Sequence, residues 1–268
     1  MQKGKLAGGG YIVPLNKNIY RYYRLKQDIQ IGYIDKFTIV YQPKINLRNN
    51  NIISWEILSR WKHNEYGYIP PIEFLSIIKE LDKEYEFDMY VFEQMCKDIS
   101  TIDCKENTYS INISTNSLKN KTIYTDILSI SKKYKINPRQ IIIEILENDQ
   151  IDKYDEIIEN INKLDEKGYK ISIDDFGTGY SSYYRLCNIN FKEIKIPREF
   201  LPKSNDDRDK KIDILKGIVN MGKSLECEIV IEGIETVDDH NLAQNLDIDY
   251  GQGYLYSKPI PFKDISNL

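Results

Sequence analysis

Histidine and paired cysteines, the usual ligands of protein zinc sites, are scarce in this chain. The two histidines, His63 and His240, stand far apart in the sequence, and neither has a second histidine at ligand spacing. The four cysteines include no CxxC pair, and a chain of 268 residues can bury a core without disulfides. We therefore expect no histidine zinc site, and we interpret the cysteines as reduced thiols of a cytoplasmic protein.

Long apolar runs and an excess of positive charge are also missing. No apolar run approaches the length of about 18 residues that crosses a bilayer, and no signal-peptide pattern is present. This segment should therefore make no contact with a membrane. The formal net charge of −4 and the isoelectric point near 5.5 argue against a surface that binds a nucleic-acid polymer.

The sequence pattern changes near residue 35. Residues 1–35 are predicted to be an N-terminal leader or linker followed by a helix over Tyr20–Ile31, and residues 36–268 to be the main domain. The first ten residues end in three glycines, Gly8 to Gly10. They fit a linker, a tag remnant or the tail of an upstream module equally well.

From Phe37 onward the pattern is a hairpin followed by alternating helices and strands. Phe37–Ile45 and Ile52–Leu58 are predicted strands, joined by a turn at Asn49–Asn51. The later strands alternate with helices, which is typical of right-handed β-α units. About eight strands result, enough to close a barrel. The predicted fold class is therefore α/β, a TIM-like (β/α)8 barrel.

Polar residues stand at the ends of the predicted strands, where a buried core would exclude them. In a barrel of parallel strands these ends meet on one face, which is where such folds place their active sites. A single residue of this kind could be an ordinary loop residue, but seven in register favour a functional site. They are Asn112, Glu144, Asp174, Asp175, Lys195, Glu232 and Gln252.

The stretch around Asp174 and Asp175 carries the strongest local signal. Ile171 and Ile173 alternate with polar neighbours as in a half-buried strand, and a glycine-containing turn follows the two carboxylates. Adjacent strand residues point to opposite faces, but at a strand end the backbone can twist enough for both to reach one bimetallic centre. A plain turn with an Asx cap is the alternative.

The carboxylates at this face could not all stay ionised together without cations among them. Two like charges about 4 Å apart repel by about 4 kcal/mol at an effective dielectric near 20, and the pKa values would otherwise rise. Oxygen ligands with one amide favour hard ions, so we predict two divalent cations, Mg²⁺ or Mn²⁺. Paired ions of this kind serve in phosphodiester cleavage. The carboxylates are Glu56, Glu144, Asp174, Asp175 and Glu232.

In these residues the sequence resembles the EAL-type cyclic-di-GMP phosphodiesterase family. The resemblance runs from about residue 36 to the end, and the nine-residue run from Asp174 to Ser182 is its most specific part. The signature tripeptide corresponds to Glu56-Ile57-Leu58. The other matching segments are Tyr41-Gln42-Pro43, Arg60-Trp61, Ile111-Asn112-Ile113-Ser114, Glu144-Ile145-Leu146-Glu147, Lys195, Glu232-Gly233-Ile234-Glu235-Thr236 and Gln252-Gly253-Tyr254-Leu255-Tyr256.

The resemblance implies a barrel whose first strand is antiparallel to the others, and it implies a role for each matching residue. Asp174 would bridge two metals, and Asp175 and Glu232 would complete the second site. Lys195 would touch the attacking water, and Glu147 and Glu235 would support the loop after Asp175. The first metal would be held by Glu56, Asn112, Glu144 and Asp174. The dinucleotide would contact Gln42, Arg60 and Gln252, with Arg60 at a phosphate.

Two positions depart from the family pattern. Ile57 replaces a small alanine, a packing change that leaves Glu56 in place. Pro197 stands where the family usually has aspartate after Lys195-Ile196, and it removes a carboxylate and a backbone donor beside the proposed catalytic lysine. This departure predicts slow hydrolysis that Pro197→Asp would accelerate.

The expected function is hydrolysis of cyclic-di-GMP to the linear dinucleotide pGpG, by in-line attack of a water held between two divalent metals. One alternative is an EAL domain of weak activity that serves as a cyclic-di-GMP receptor. A more distant one is a barrel enzyme acting on another phosphate ester. The expected partner is cyclic-di-GMP, a homodimer is expected, and a sensor or GGDEF-type module could precede this segment.

Overall fold

The computed structural model describes residues 17–32, 36–102, 107–147, 155–179, 183–204 and 206–267. Within these ranges the helices are α1 (Lys17–Gln30), α2 (Pro71–Glu80), α3 (Glu84–Ile99), α4 (Thr115–Leu118), α5 (Ile123–Lys133), α6 (Asp155–Glu166), α7 (Tyr183–Asn188), α8 (Arg208–Ser224) and α9 (Val237–Asn245). The strands are β1 (Phe37–Asn46), β2 (Ile52–His63), β3 (Gly67–Ile69), β4 (Thr108–Asn112), β5 (Ile141–Leu146), β6 (Lys170–Asp174), β7 (Glu193–Ile196), β8 (Glu228–Ile231) and β9 (Tyr250–Gly251).

Eight of these described strands close a barrel in the order β1-β9-β8-β7-β6-β5-β4-β2, and β2 pairs back with β1. β1 is antiparallel to both of its neighbours, β2 and β9. The other pairings around the ring are parallel. The predicted α/β barrel with an antiparallel first strand is therefore confirmed. The short strand β3, which the sequence analysis missed, adds to β2 alone by pairing with its last three residues.

The barrel strands have an apolar outer face and an inner face that carries polar residues. On β5, Ile141, Ile143 and Ile145 alternate with the inward Ile142 and Glu144, and all five side chains are buried. The neighbouring strands repeat this alternation, with isoleucine directed outward in β6 and β7. Because helices cover the outside, apolar residues belong there, and the polar residues are collected inside the barrel.

The covering helices bury one apolar stripe each. In α6 the buried residues Ile157, Ile161 and Leu164 follow the helical repeat. α3 buries a longer stripe that includes Phe92 and Met95, and the apolar periodicity over residues 87–99 of the sequence predicts this helix. No helix of the described segments is long and apolar enough to cross a membrane.

Helix α1 packs on the barrel through Leu25 and Ile29, both fully buried. A buried polar pair holds it to β2, with 2.8 Å between His63 Nε2 and Asp28 Oδ2. His63 Nδ1 accepts backbone N–H groups, so Nε2 carries the proton and donates it to Asp28. The predicted helix at Tyr20–Ile31 is thus present, and the domain division at residue 35 stays a prediction.

Some local predictions need adjustment or lie outside the described residues. The sequence predicts a last strand at Ile248–Tyr250 and a terminal helix after it. The structure has a strand of two residues, Tyr250–Gly251, and a 3-10 helix over Phe262–Asn267. The sequence also predicts that Ser181 and Ser182 could cap a short helix after the glycine turn, but both fall outside the described ranges. Three cysteines within those ranges are free thiols, as expected: Cys96, Cys187 and Cys227.

Candidate metal centre

The strand register brings the predicted carboxylates to one end of the barrel. Asn112 lies directly beside Glu144 across the β4–β5 pair, and Glu56 of β2 lies beside Gln42 of β1. Asp174 ends β6, and Glu232 follows the last residue of β8. The carboxyl ends of parallel strands therefore converge as the sequence predicts.

Two groups of carboxylates in this region have the spacing of metal ligands. Glu56, Glu144 and Asp174 form one group, and Asp174, Asp175 and Glu232 form the other. Within each group one ligand atom per residue lies within 4.8 Å of the others. The groups share Asp174, the residue that the sequence analysis placed between the two metals.

Asn112 contributes an amide to the first group. Its Nδ2 lies 3.3 Å from Glu56 Oε1 and 3.4 Å from Glu144 Oε2. The side chain therefore reaches the space between the two carboxylates. An amide oxygen turned into that space would complete a set of oxygen ligands.

A backbone turn lets Asp174 and Asp175 reach the same centre. Asp175 has φ of 56°, in the left-handed region, and its N–H donates to Asp174 Oδ1 at 2.9 Å. The chain thus leaves the strand geometry between the two residues. This is the twist at the strand end that the sequence analysis required.

Lys195 lies between the two groups and is fully buried. Its Nζ is 2.8 Å from Glu232 Oε1, and it contacts one carboxylate oxygen from each of three other strands. Those three distances are 3.0 Å to Glu144, 3.2 Å to Asp174 and 3.4 Å to Glu56. A single ammonium group is therefore shared among four carboxylates.

The pKa values of the carboxylates differ with their partners. Burial, opposed by Lys195, raises the pKa of Glu56 to about 8. Burial would also raise the pKa of Glu144, but Lys195 and Lys44 together bring it down to about 2. Burial, with Asp174 next in importance, raises the pKa of Asp175. The raised pKa values of Glu56 and Asp175 indicate that more carboxylates meet here than one lysine can keep ionised.

The residues present fit two divalent cations. When ionised, the five carboxylates of the two groups carry five negative charges, and Lys195 supplies one positive charge. The four charges that remain equal those of two divalent ions. The donor atoms are carboxylate and amide oxygens, which are the ligands of Mg²⁺ and Mn²⁺.

The loop after Asp175 is held by Glu147. Glu147 Oε2 accepts the N–H of Gly177 at 2.8 Å and of Gly179 at 3.1 Å. Gly177 has φ of 90°, and a Cβ there would lie 2.8 Å from Phe200 Cζ, so both backbone and space require glycine. Glu235, predicted to support the same loop, forms its ion pair with Arg198 at 3.1 Å.

The residues predicted to bind substrate lie on the side of β1, β2 and β9. Gln252 Nε2 donates to Glu56 Oε2 and, at 3.2 Å, to Gln42 Oε1. Arg60 lies four residues after Glu56 on the same face of β2, and its Nη1 donates to Ser59 O. Partial burial lowers the pKa of Arg60. Arg60 thus lies on the same face of β2 as Glu56 and makes no ion pair with the carboxylate groups in the described structure.

Three further polar residues lie below the carboxylates, and the sequence analysis missed them. Lys44, Ser172 and Glu193 are buried inside the barrel. Lys44 lies two positions after Gln42, Ser172 two before Asp174, and Glu193 two before Lys195. Residues two apart on a strand share a face. This spacing from Gln42, Asp174 and Lys195 is the signal that could have identified them.

Comparison with known proteins agrees with this geometry. The model of the EAL domain family matches residues 25–259. The chain therefore belongs to the EAL domain family.

Its curated relatives are longer proteins. The chain is 33% identical over 213 residues to the probable cyclic di-GMP phosphodiesterase PdeA of Escherichia coli, covering 78% of this chain and 29% of PdeA. It is 27% identical over 229 residues to the cyclic di-GMP phosphodiesterase RocR of Pseudomonas aeruginosa, covering 84% of this chain and 58% of RocR.

Solved EAL structures share the fold. An EAL enzyme in a form bound to cAMP and cyclic-di-GMP superposes with a TM-score of 0.87 and 26% identity, over 94% of this chain and 70% of the other. The PaMucR phosphodiesterase in complex with c-di-GMP has a TM-score of 0.84 and 26% identity, over 90% of this chain and 99% of the other.

Proposed function

We propose that this protein is a metal-dependent phosphodiesterase that hydrolyses cyclic-di-GMP to linear pGpG. The observation that carries the proposal is the pair of carboxylate groups that share Asp174 and surround Lys195. Relatives named cyclic di-GMP phosphodiesterases support this substrate.

Each carboxylate group would hold one cation, Mg²⁺ or Mn²⁺. Glu56, Asn112, Glu144 and Asp174 would hold the first. Asp174, Asp175 and Glu232 would hold the second. Cations bound there would lower the pKa of a water from 15.7 towards neutrality and stabilise negative charge on the phosphate.

The remaining polar residues would position the water and the dinucleotide. Lys195 Nζ lies between the two groups, so one of its N–H groups would donate to the attacking water. Arg60 would bind a phosphate oxygen, because a guanidinium suits that geometry. Gln42 and Gln252, which contact each other, would contact the dinucleotide on the β1 side.

Incubation of the purified protein with cyclic-di-GMP and Mn²⁺, followed by chromatography of the products, tests this proposal. We expect pGpG, loss of activity in excess chelator, and recovery when Mg²⁺ or Mn²⁺ is restored. Calcium should bind yet support little turnover, because its looser coordination positions water poorly. Full activity in excess chelator would contradict the two-metal mechanism.

A cyclic-di-GMP receptor is the second candidate, and Pro197 is the observation that favours it. A receptor would bind cyclic-di-GMP tightly and release no pGpG at any metal concentration. Equilibrium binding measured beside the chromatographic assay separates the two functions. Hydrolysis of other phosphate esters in preference to cyclic-di-GMP would instead indicate a different substrate for the same site.

A further inference from the structure

A buried polar cluster lies directly beneath the candidate metal centre. Its members are Lys44 of β1, Ser172 of β6 and Glu193 of β7, with 0%, 0% and 1% of their surfaces exposed. The roles proposed above use none of them. Branched aliphatic side chains usually fill the interior of such barrels, so a lysine and a glutamate at this depth require an explanation.

Lys44 joins this cluster to the metal centre through Glu144. Lys44 Nζ is 3.0 Å from Glu144 Oε1, while Lys195 Nζ is 3.0 Å from Glu144 Oε2. Each oxygen of this carboxylate is therefore held by a different lysine. Two charged contacts on opposite oxygens fix the plane of the carboxylate as well as its position.

Glu193 and Ser172 hold Lys44 in turn. Glu193 Oε1 accepts from Lys44 Nζ at 2.8 Å and from Ser172 Oγ at 2.9 Å. The ammonium group of Lys44 thus contacts both Glu193 and Glu144, and neither carboxylate is its sole partner. This sharing leaves Glu144 available to a cation while still restricting its rotation.

The stability of the fold alone does not account for this cluster. Removing two charges from water is costly, and well-packed apolar residues of similar volume often stabilise a protein as well as a buried ion pair does, or better. Groups that contact metal ligands, by contrast, orient those ligands and raise metal affinity. The contact with Glu144 therefore favours a role in positioning.

We propose that Lys44, held by Glu193 and Ser172, is a positioning residue that fixes the orientation of Glu144 and so raises the affinity of the first cation site. This inference rests on the proposed function, since it assumes that Glu144 is a metal ligand. It extends that function by assigning the site's cation affinity in part to three residues inside the barrel.

Calorimetric titration of Mn²⁺ into the metal-free protein, without nucleotide, tests the inference. The main variant is Lys44→Met/Glu193→Met, which removes the ion pair and keeps the volume and the net charge. We expect its affinity for Mn²⁺ to fall about 10- to 100-fold, as for other partners of metal ligands. The KM for cyclic-di-GMP, measured at saturating Mn²⁺, should stay unchanged because Arg60 is untouched.

A matched control replaces the other buried polar pair described above. Asp28→Leu/His63→Met removes the contact between α1 and β2, and His63 lies seven residues along β2 from Glu56, which is about 23 Å at about 3.3 Å per residue. The control should bind Mn²⁺ with parental affinity, whatever its melting temperature. A fall in both variants would indicate a general effect of buried polar pairs and overturn the inference.

The titrations also separate this inference from the proposed function. A parent protein that binds no Mn²⁺ overturns both. A parent that binds Mn²⁺ no more tightly than a folded Lys44→Met/Glu193→Met protein overturns the positioning role alone. If the double variant does not fold, Glu193→Gln decides, because Lys44 then turns its charge wholly to Glu144 and competes with the cation. Parental affinity in that variant would overturn the inference.

Discussion

Glu232 makes the shortest of the four ion pairs of Lys195, at 2.8 Å. We expect Glu232→Gln to lower kcat at least about 100-fold, since even residues that only contact metal ligands commonly contribute 10- to 100-fold. Cyclic-di-GMP affinity should largely survive, because Arg60 and Gln42 are unchanged. Steady-state kinetics and equilibrium binding check both expectations.

Glu228→Gln is the matched control for that variant. Glu228 begins the same strand, β8, whose other end leads to Glu232, and it pairs with Lys170 at 3.3 Å. The same substitution at the opposite end of the barrel should leave kcat unchanged. If Glu232→Gln turned over at the parental rate, Glu232 would be an ordinary loop carboxylate, and the proposed second metal site would be wrong.

Pro197 directly follows β7, the strand that carries Lys195, and the contacts of Lys195 indicate that the proline disturbs its position little. Lys195 Nζ is held by four carboxylates, none of them at position 197, and its carbonyl accepts from Phe176 N–H at 3.0 Å. We therefore expect Pro197→Asp to raise kcat by much less than the roughly 100-fold that a 1 Å misplacement costs. The direction agrees with the expectation from the sequence, and the structure limits its size.

The comparison requires saturating substrate, so that a change in binding does not pass for a change in chemistry. A gain of about 100-fold would show that proline displaces the lysine in solution. No turnover in either protein, with tight binding in both, would support the receptor.

At the scale of elements, one carboxylate holds two backbone amides of the loop after β6. Glu147 accepts two backbone N–H groups of that loop, from Gly177 and Gly179, and a hydrogen bond to a charged group contributes about 1.5–3 kcal/mol. We expect Glu147→Ala to speed hydrogen exchange at both glycine amides by at least about tenfold, and to lower kcat because Asp175 begins this loop. Exchange monitored by NMR measures the first effect.

Glu159→Ala provides the control for the loop. Glu159 lies on α6, is exposed, and pairs with Lys163 in the next turn, so its loss should change neither exchange at the glycines nor kcat. Unchanged exchange in Glu147→Ala would show that the loop is held by other contacts.

The strand pattern predicted the barrel, but it did not predict that the polar residues below the carboxylates lie inside it. Regular alternation of isoleucine with polar residues in β6 and β7 indicates strands whichever face is buried. The usual interpretation sends the polar face to solvent. Here helices cover the apolar face, so Lys44 and Glu193 lie inside. Predicting their contact requires the register of β1 and β7, which no local pattern supplies.

Short elements also escaped prediction for physical reasons. β3 has three residues and pairs only with the end of β2, so its stability comes from a neighbour and not from its own sequence. α4 has four residues and depends on the cap by Ser114. The predicted ligands Asn112 and Asp174, in contrast, are the last residues of their strands, and Glu232 directly follows the end of another. Their places therefore follow from where each strand ends.

At the scale of the whole molecule, Asp88 should make stability depend on pH. This α3 residue accepts the N–H of Ser114 at 2.9 Å and the hydroxyl of Ser117 at 2.6 Å, and burial raises its pKa to about 6. Between pH 4 and 6 the folded state therefore binds a proton that the unfolded state releases. Stability due to Asp88 is present below about pH 4 and is lost as pH rises through about 6.

Asp88→Asn should remove that dependence. A shift of about two pKa units corresponds to about 3 kcal/mol, so the difference in unfolding free energy between parent and variant should change by up to that amount from pH 4 to pH 7. Urea unfolding across this range measures it, and taking the difference cancels the other titrating groups. A constant difference would show that Asp88 titrates normally.

The pairing of the first barrel strand with the last has a consequence for biosynthesis. Ile45 and Asn46 meet Gly251 and Tyr250, which leave the ribosome after all the other barrel strands. Because chains are made from the N-terminus, one edge of β1 must wait without its partner until those strands have been made. Contacts so distant in sequence form slowly, and Gln252, which reaches Glu56, arrives with them. A nascent chain that stalls before Tyr250 would expose a sheet edge open to pairing with other chains.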